Sequence, residues 1–212
     1  MKLIDLTVQN FLNEVDSKSP APGGGSVSSL VSALGCTLGR MVAHLTFNKK
    51  AYKELTEIDR NKFEKSFNEL DFFRSKLEEL VDKDTEAYNL VMSAYKLPKE
   101  TKMDIEVRTK AIENNLKLAI DTPLEICRLS QNALKNLKDI LEYGNKNAIT
   151  DLGVSAILLF SGIEGGMLNV KVNLLSLKDE VFKKEILNEL EEIQLNSKKL
   201  RDEILETVNN SL

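Results

Sequence analysis

One long helical repeat constrains the fold of this chain more than any other feature. Between about Thr56 and Tyr95, apolar side chains recur every three or four residues, and Leu97-Pro98 ends the pattern. At about 1.5 Å per residue, a helix of this length exceeds the width of a small domain. A chain with such an element is expected to build a bundle of long helices.

The same periodicity covers most of the remaining chain. It predicts further helices over residues 4–15, 27–46, 102–143, 148–175 and 180–209. Pro123 interrupts the fourth of the six patterns, where a kink or break is expected because proline lacks the N–H donor and clashes one turn back. No strand pair and no repeat is found. The expected fold is all-α, a bundle of five to six helices including long kinked helices, in a single domain over residues 1–212.

Composition excludes several classes of function. The net charge is -4 and the basic residues form no stripe, so no nucleic acid is expected as a partner. Cys36 and Cys127 lie in helical patterns and fit buried thiols of a reducing cytoplasm. With His44 as the single histidine, no zinc site is expected and no metal ligand is proposed, although carboxylates could still hold magnesium or calcium. The N-terminus has no secretory core, and Arg40 and His44 interrupt the most apolar stretch, 27–45, so no membrane contact is expected.

A glycine- and proline-rich loop precedes the second predicted helix. It reads SPAPGGGS over residues 19–26. Proline fixes φ and glycine permits unusual φ or close approach, so the loop has a defined shape. The start of the following helix presents free N–H groups that can hold an anion or a polar ligand. The alternative is a tight entry turn. The candidate binding residues are Pro22, Gly23, Gly24, Gly25 and Ser26.

Two predicted helices carry faces of small residues. Ser29, Ala33, Cys36 and Gly39 form one such face, and the glycines of residues 153–166 form the other. Gly in a helix costs about 1 kcal/mol relative to Ala, which indicates a packing or ligand reason for its presence. Homodimer packing across one face and internal packing of the two faces against each other remain equal alternatives.

Polar residues that interrupt these helices are the candidates for chemistry. Asp151 is preferred as a catalytic carboxylate because it follows the turn at 144–147; its alternative role is that of a first-turn acid. Asp84 borders the apolar face of its helix and is the second candidate. His44 is a third, as a general base, although a lone histidine at a helix end is more often a cap or a packed residue.

Asparagines and lysines supply the candidate binding groups. Asn169 and Asn173 lie four residues apart on one helix face, where they either bind a ligand or join helix–helix hydrogen bonds. Asn145 and Asn147 belong to the turn before Asp151. The Lys49-Lys50 pair would ordinarily be a solvated linker. The full set of candidate binding residues is Pro22, Gly23, Gly24, Gly25, Ser26, Lys49, Lys50, Asn145, Asn147, Asn169 and Asn173.

Eight segments of the chain, taken together, resemble the cyclodeaminase/cyclohydrolase family of folate enzymes. They occur in the family's order and cover nearly the whole chain. Two residues depart from the family's pattern. His44 stands where relatives usually have Asn, and Thr150 stands where they usually have Ser. The matching segments are SPAPGGGS (19–26), MVAHLT (41–46), KKAY (49–52), DTEAY (84–88), AYKLPK (94–99), DTPL (121–124), GNKNAITD (144–151) and LNVKVN (168–173).

The resemblance implies an all-helical homodimer that acts on the one-carbon bridge of a reduced folate, with no cofactor. Cyclohydrolases open 5,10-methenyltetrahydrofolate with water to 10-formyltetrahydrofolate. Cyclodeaminases close 5-formiminotetrahydrofolate to the methenyl compound and release ammonia. The stand-alone chain favours the cyclohydrolase; the alternatives are the cyclodeaminase and a folate-binding protein without turnover. Lys49 and Lys50 are expected to favour polyglutamylated folate.

Overall fold

Seven α-helices and two short 3₁₀ helices make up the chain, and no strand is formed. The computed structural model describes all residues, 1–212. The all-α prediction is confirmed. There are seven α-helices rather than the expected five to six, because part of the linker near residue 50 forms a short helix. The helices are α1 (Val8–Val15), α2 (Gly24–Phe47), α3 (Lys50–Lys53), α4 (Glu57–Tyr95), α5 (Lys102–Tyr143), α6 (Ile149–Leu174) and α7 (Glu180–Asn209), with 3₁₀ turns at Leu3–Asp5 and Lys146–Ala148.

Side-chain caps fix where the long helices begin. Thr56 accepts a hydrogen bond from the backbone N–H of Asp59 at 3.2 Å. Thr101 and Asp104 form a capping box in which each side chain accepts from the backbone N–H of the other. These caps satisfy N–H groups that have no acceptor within the helix. The boundaries read from the periodicity therefore agree closely with the structure for α4 and α5.

Pro123 does not break α5. The helix runs through it from Lys102 to Tyr143. A proline at 123 leaves the carbonyl of Ala119, one turn earlier, without its usual N–H donor. The side chain of Asn173 on α6 supplies the missing donor, with Nδ2 lying 2.6 Å from that oxygen. Of the two expected outcomes, a kink or a break, the break does not occur, and a residue distant in sequence replaces the lost hydrogen bond.

The long helices alternate in direction, and the core lies between α2, α4, α5 and α6. Ser29 donates to the carbonyl of Leu77 at 2.6 Å, which ties α2 to α4. Cys127 on α5 contacts the carbonyl of Ile163 on α6 at 3.4 Å. α7 packs on the outside of α5 and α6. Because α2 and α6 are antiparallel, the start of α2 lies beside the end of α6.

The two small-residue faces meet inside one chain only in part. Gly162 and Gly165 of α6 lie against α2, whereas Gly39 of α2 faces Leu137 of α5 and Gly153 of α6 faces α7. A Cβ added to Gly35 would lie 2.8 Å from Cγ of Leu159 and 3.1 Å from the carbonyl oxygen of Ser155. Ser155 in turn donates from Oγ to the carbonyl of Gly35 at 2.6 Å. The glycines thus allow a close contact at which backbone carbonyls accept bonds from small side chains.

α2 and the segment Lys146–Leu174 are long and apolar enough to cross a membrane by length and composition, contrary to the expectation for residues 27–45. Both are central elements of the bundle. Within their most apolar windows, 44% and 56% of the residues are buried by the rest of the protein. A core helix satisfies the same length and composition criteria.

Candidate functional site

A cavity of about 360 Å³ lies where the glycine loop meets the far ends of α4 and α6. The loop closes one side, and α4, α5 and α6 provide the walls. This volume falls within the range of small-molecule sites. The cavity is lined by Pro20, Ala21, Gly23, Gly24, Asp84, Tyr88, Val91, Tyr95, Leu116, Ala119, Asn169, Val172, Asn173 and Ser176.

Asp84 is the one acidic side chain in this cavity, and the first turn of α2 holds it. Its Oδ2 accepts from the backbone N–H of Ser26 at 2.9 Å and from Oγ of Ser26 at 3.3 Å. Ser26 is fully buried, with its Oγ also 3.3 Å from Oγ1 of Thr85. Burial raises the pKa of Asp84 above its ordinary value, and the two bonds from Ser26 oppose that rise.

The glycines of the loop permit a close approach rather than a left-handed backbone. No residue of the chain has a positive φ. A Cβ on Gly25 would collide with the carboxylate of Asp84, and one on Gly24 would lie 3.0 Å from Nδ2 of Asn169. Glycine was expected here for an unusual φ or for a close approach, and the close approach is the reason that applies. The carboxylate packs directly on the backbone at the start of α2.

Asn169 and Asn173 line the opposite side of the cavity, and each uses its amide nitrogen within the protein. Nδ2 of Asn169 donates to the carbonyl of Gly165 at 2.8 Å. Nδ2 of Asn173 donates to the carbonyl of Ala119 at 2.6 Å. The Asn173 bond joins α6 to α5, as the helix–helix alternative expects, whereas the Asn169 bond stays within α6. The carbonyl oxygens remain as acceptors for a ligand.

Tyr88 and Tyr95 are cavity residues that the sequence analysis did not single out as binding groups. They lie one turn and three turns beyond Asp84 on α4, with Val91 between them. The periodic pattern of α4 placed Tyr88 on the apolar face, next to Asp84. A tyrosine at i+4 from a candidate carboxylate was the available signal, since such residues share a helix face.

The other predicted site residues lie at the opposite end of the α2–α6 pair. The backbone N–H of Asn145 donates to Oγ1 of Thr46 at 2.8 Å, which places the 144–151 turn beside the end of α2. Asp151, half-buried, is 18 residues before Asn169 on α6, or about 27 Å along the axis. Within one chain the structure separates the preferred carboxylate from the glycine loop. The residues at this far end are His44, Lys49, Lys50, Asn145, Asn147 and Asp151.

His44 is exposed and packs edge-on against Phe67, with ring centroids 4.9 Å apart. It borders a shallow depression near Arg40, Asp71 and Arg74. The guanidinium of Arg40 lies over the ring of Phe67 at 3.9 Å. In a single chain, His44 is therefore part of a surface cluster separate from Asp84.

The cavity has the groups needed to bind a flat heterocycle and to move one proton. Asp84 supplies a carboxylate whose raised pKa suits a proton acceptor that later returns the proton. The asparagine oxygens can accept hydrogen bonds, and half of the lining residues are hydrophobic. No group of three or more His, Cys, Asp or Glu side chains is arranged to hold a metal ion.

Comparison with known proteins identifies the family of this chain. Residues 7–192 match the model of the formiminotransferase-cyclodeaminase family. A methenyltetrahydrofolate cyclohydrolase of Methylorubrum extorquens is 36% identical over 202 residues, covering 95% of each chain. The formimidoyltransferase-cyclodeaminase of Rattus norvegicus is 33% identical over 183 residues, which are 86% of this chain and 33% of the rat protein.

A solved structure shares the fold along the whole chain. The crystal structure of formiminotetrahydrofolate cyclodeaminase from Thermotoga maritima superposes with a TM-score of 0.86. It is 31% identical in sequence, and the match covers 99% of this chain and 98% of the other. The bundle described above is therefore the architecture of that protein as well.

Proposed function

Because the chain belongs to the formiminotransferase-cyclodeaminase family, we propose that it is a methenyltetrahydrofolate cyclohydrolase. It hydrolyses 5,10-methenyltetrahydrofolate to 10-formyltetrahydrofolate. The observation that carries this proposal is the match to a cyclohydrolase over 95% of both chains. The chain spans only about a third of the length of the rat relative, so the activities of that longer protein are not transferred whole.

Asp84 is the proposed catalytic carboxylate. The methenyl bridge is a delocalised cation, which a buried carboxylate stabilises. Asp84 takes a proton from water as the oxygen attacks the bridge carbon. It then returns that proton to nitrogen-5 of the pterin as the bond between the carbon and nitrogen-5 breaks. The hydroxyl group on the carbon loses its proton to solvent, which leaves a formyl group on nitrogen-10 and one proton released overall.

The alternative reaction is the cyclodeamination of 5-formiminotetrahydrofolate, and the fold match to the Thermotoga cyclodeaminase favours it. The same carboxylate would then accept the proton of nitrogen-10 and return one to the departing ammonia. Both reactions pass through a tetrahedral carbon between the two nitrogens. The position of Asp84 serves either reaction, so substrate preference must be measured.

A direct comparison of the two substrates tests the proposal. Purified protein is incubated with 5,10-methenyltetrahydrofolate, and the loss of its ultraviolet absorbance is followed above the uncatalysed rate. A parallel assay with 5-formiminotetrahydrofolate records ammonia release. We expect a larger kcat/KM for the methenyl compound. A larger value for the formimino compound would assign the cyclodeaminase activity instead.

The proposal includes a second copy of the chain, packed antiparallel along the outer side of α2. That side carries apolar residues at alternating spacings of four and three, the pattern of a helix–helix seam. Leu34, Met41 and Leu45 are exposed there to 51%, 36% and 47%. This α2 seam consists of Val27, Val31, Leu34, Leu38, Met41 and Leu45.

An antiparallel second copy also explains why the predicted site residues form two groups. Gly24 and Asn48 lie at opposite ends of α2, about 36 Å apart. A two-fold axis near the middle of α2 would bring the far end of one copy to the cavity of the other. Asp151 and His44 would then approach the cavity from the partner, and the site would contain residues of both copies.

The same arrangement supports a role for Lys49 and Lys50 in binding a polyglutamylated folate. Both side chains are exposed, and Lys50 pairs only with Glu54, at 3.5 Å on the surface. In the proposed dimer their charges would lie near the cavity mouth, where the acidic tail of a folate emerges. We place the enzyme in the cytoplasm, in keeping with its two free buried cysteines.

A further inference from the structure

Two of the four tyrosines of this chain have hydroxyl groups that bind nothing within the protein, and both line the cavity. Tyr52 donates to Oε1 of Glu64 at 2.5 Å, and Tyr143 donates to Oδ1 of Asp59 at 3.0 Å. Tyr88 and Tyr95 have no such partner. Neither hydroxyl therefore ties its ring to another part of the bundle, and a change at either tyrosine breaks no side-chain hydrogen bond of the fold.

Tyr88 is the better placed of the two. It is half-buried, one turn beyond Asp84, and its ring packs on no other aromatic ring in the chain. Tyr95 is 41% exposed at the outer part of the cavity, and the guanidinium of Arg108 lies 5.8 Å from its ring centroid. The ring of Tyr88 thus lines the cavity without being stacked on another aromatic ring of the protein.

Three polar side chains that line the cavity together with Tyr88 have free acceptor oxygens. Oδ1 of Asp84 receives no hydrogen bond from the protein, because both bonds from Ser26 go to Oδ2. The amide nitrogens of Asn169 and Asn173 are held by backbone carbonyls, and their oxygens accept no hydrogen bond within the protein. A pterin ring is flat and carries hydrogen-bond donors along one edge, at its 2-amino group and N3–H.

We infer that Tyr88 is a positioning residue that stacks on the pterin ring of the folate, while the oxygens of Asn169 and Asn173 accept from its donor edge. This inference rests on the proposed function. Stacking on Tyr88 sets how deeply the pterin ring enters the cavity, and the hydrogen bonds to the two asparagines set the orientation of the pterin within its plane. Together they bring the one-carbon bridge to Asp84, at the end of the cavity next to the glycine loop.

Stacking predicts a specific order among substitutions at this position. Tyr88→Phe keeps the ring and loses only an unbonded hydroxyl, so it should bind as the wild type does. Tyr88→Leu keeps apolar volume without an aromatic face and controls for packing. Tyr95→Leu, the same replacement on the same face of α4 two turns farther out, is the matched control.

The test uses a pterin fragment that cannot turn over. Binding of 6-methyltetrahydropterin is measured by calorimetry, beside p-aminobenzoylglutamate and 5-formyltetrahydrofolate. We expect Tyr88→Leu to raise the Kd of the pterin fragment about tenfold and Tyr88→Phe to leave it within about twofold. The Kd of p-aminobenzoylglutamate should not change in Tyr88→Leu. With methenyltetrahydrofolate, Tyr88→Leu should raise KM more than it lowers kcat, since stacking holds substrate and transition state alike.

The outcomes separate this inference from the proposed function. A wild-type protein that binds no folate would overturn both. Folate binding with an unchanged pterin Kd in Tyr88→Leu would overturn the stacking role alone. A Tyr88→Phe variant as weak as Tyr88→Leu would also overturn it, since the hydroxyl would then carry the interaction. A larger effect from Tyr95→Leu on the pterin fragment would place the ring at the outer tyrosine and contradict the inference.

Discussion

At the scale of single residues, the site depends on how one carboxylate is held. Burial raises the pKa of Asp84, while the backbone N–H and the hydroxyl of Ser26 stabilise its charged form. Ser26 was predicted to bind substrate, but the structure turns it toward the carboxylate. We therefore assign Ser26 an indirect role, in which it sets the orientation and the proton affinity of Asp84.

Ser26→Ala should shift the pH dependence of turnover. The variant removes one hydrogen bond to the charged form of Asp84, so the pKa of that carboxyl should rise further. A general base works only when deprotonated, so the acidic limb of the kcat profile should move to higher pH. Steady-state rates across the acid range measure this. Thr85→Ala, which removes the hydroxyl next to Ser26 but no bond to Asp84, is the control. An unshifted acidic limb in Ser26→Ala would refute the assignment.

At the scale of elements, the pairing of α2 with α6 depends on glycines that face neighbouring backbone. Gly35 lies against Leu159 and the carbonyl of Ser155, whereas Gly153 has only ordinary contacts, with Cγ1 of Val208 at 3.4 Å from its Cβ position. The two glycines occupy the same type of structure, a helix interior, and differ in available space. This difference allows a matched comparison.

Gly35→Ala should destabilise the protein, and Gly153→Ala should not. Alanine is the better helix former by about 1 kcal/mol, which favours both variants. At residue 35 the new methyl group overpacks a close contact, at a cost of about 1–3 kcal/mol that outweighs the gain. Chemical denaturation of both variants gives the free energies of unfolding. Equal stabilisation of both would show that α2 and α6 are not tightly apposed at Gly35.

The sequence predicted the elements better than the site because periodicity is local and the site is not. The long helices follow from repeats within each segment. The continuity of α5 through Pro123 depends on Asn173, fifty residues later, and no local pattern indicates that bond. The wide separation of Asp151 and Asn169 was readable from the length of their shared helix. The sequence does not show which helix ends meet. Only the packing of the helices shows which carboxylate lies beside the glycine loop.

At the scale of the whole molecule, the proposed dimer is what unites the two groups of predicted site residues. Three of the six residues of the α2 seam are exposed in one chain, and α6 beside it carries Val154, Ile157 and Leu168, which are 46%, 46% and 68% exposed. Apolar surface of this extent on neighbouring helices is typical of a protein–protein interface. A shared site follows only if the two copies run antiparallel.

Mixing two defective variants tests the shared site. Asp84→Asn and Asp151→Asn should each be impaired as pure proteins, and both should sediment as dimers. After unfolding and refolding together, half of the dimers should be mixed, each with one intact site, which restores about a quarter of wild-type activity. No gain on mixing, or an Asp151→Asn protein as active as the wild type, would show that each chain carries a complete site.

The Asp84→Asn variant should fold normally. The raised pKa means that folded protein holds the Asp84 proton more tightly than unfolded protein does. The contribution of Asp84 to stability therefore falls as the pH rises above its ordinary pKa. Asparagine has the same shape without the charge, so Asp84→Asn should be at least as stable as the wild type near neutral pH. Thermal unfolding at several pH values checks this.

Turnover of methenyltetrahydrofolate by Asp84→Asn, measured beside folate binding, is the most direct test of the account. We expect kcat to fall by at least ~100-fold, the low end for loss of a general base. The Kd of 5-formyltetrahydrofolate should stay within about threefold, because the lost interaction is made mainly in the transition state. Turnover near the wild-type rate in this variant would contradict the assignment of Asp84 and, with it, the cavity at the glycine loop as the site of reaction.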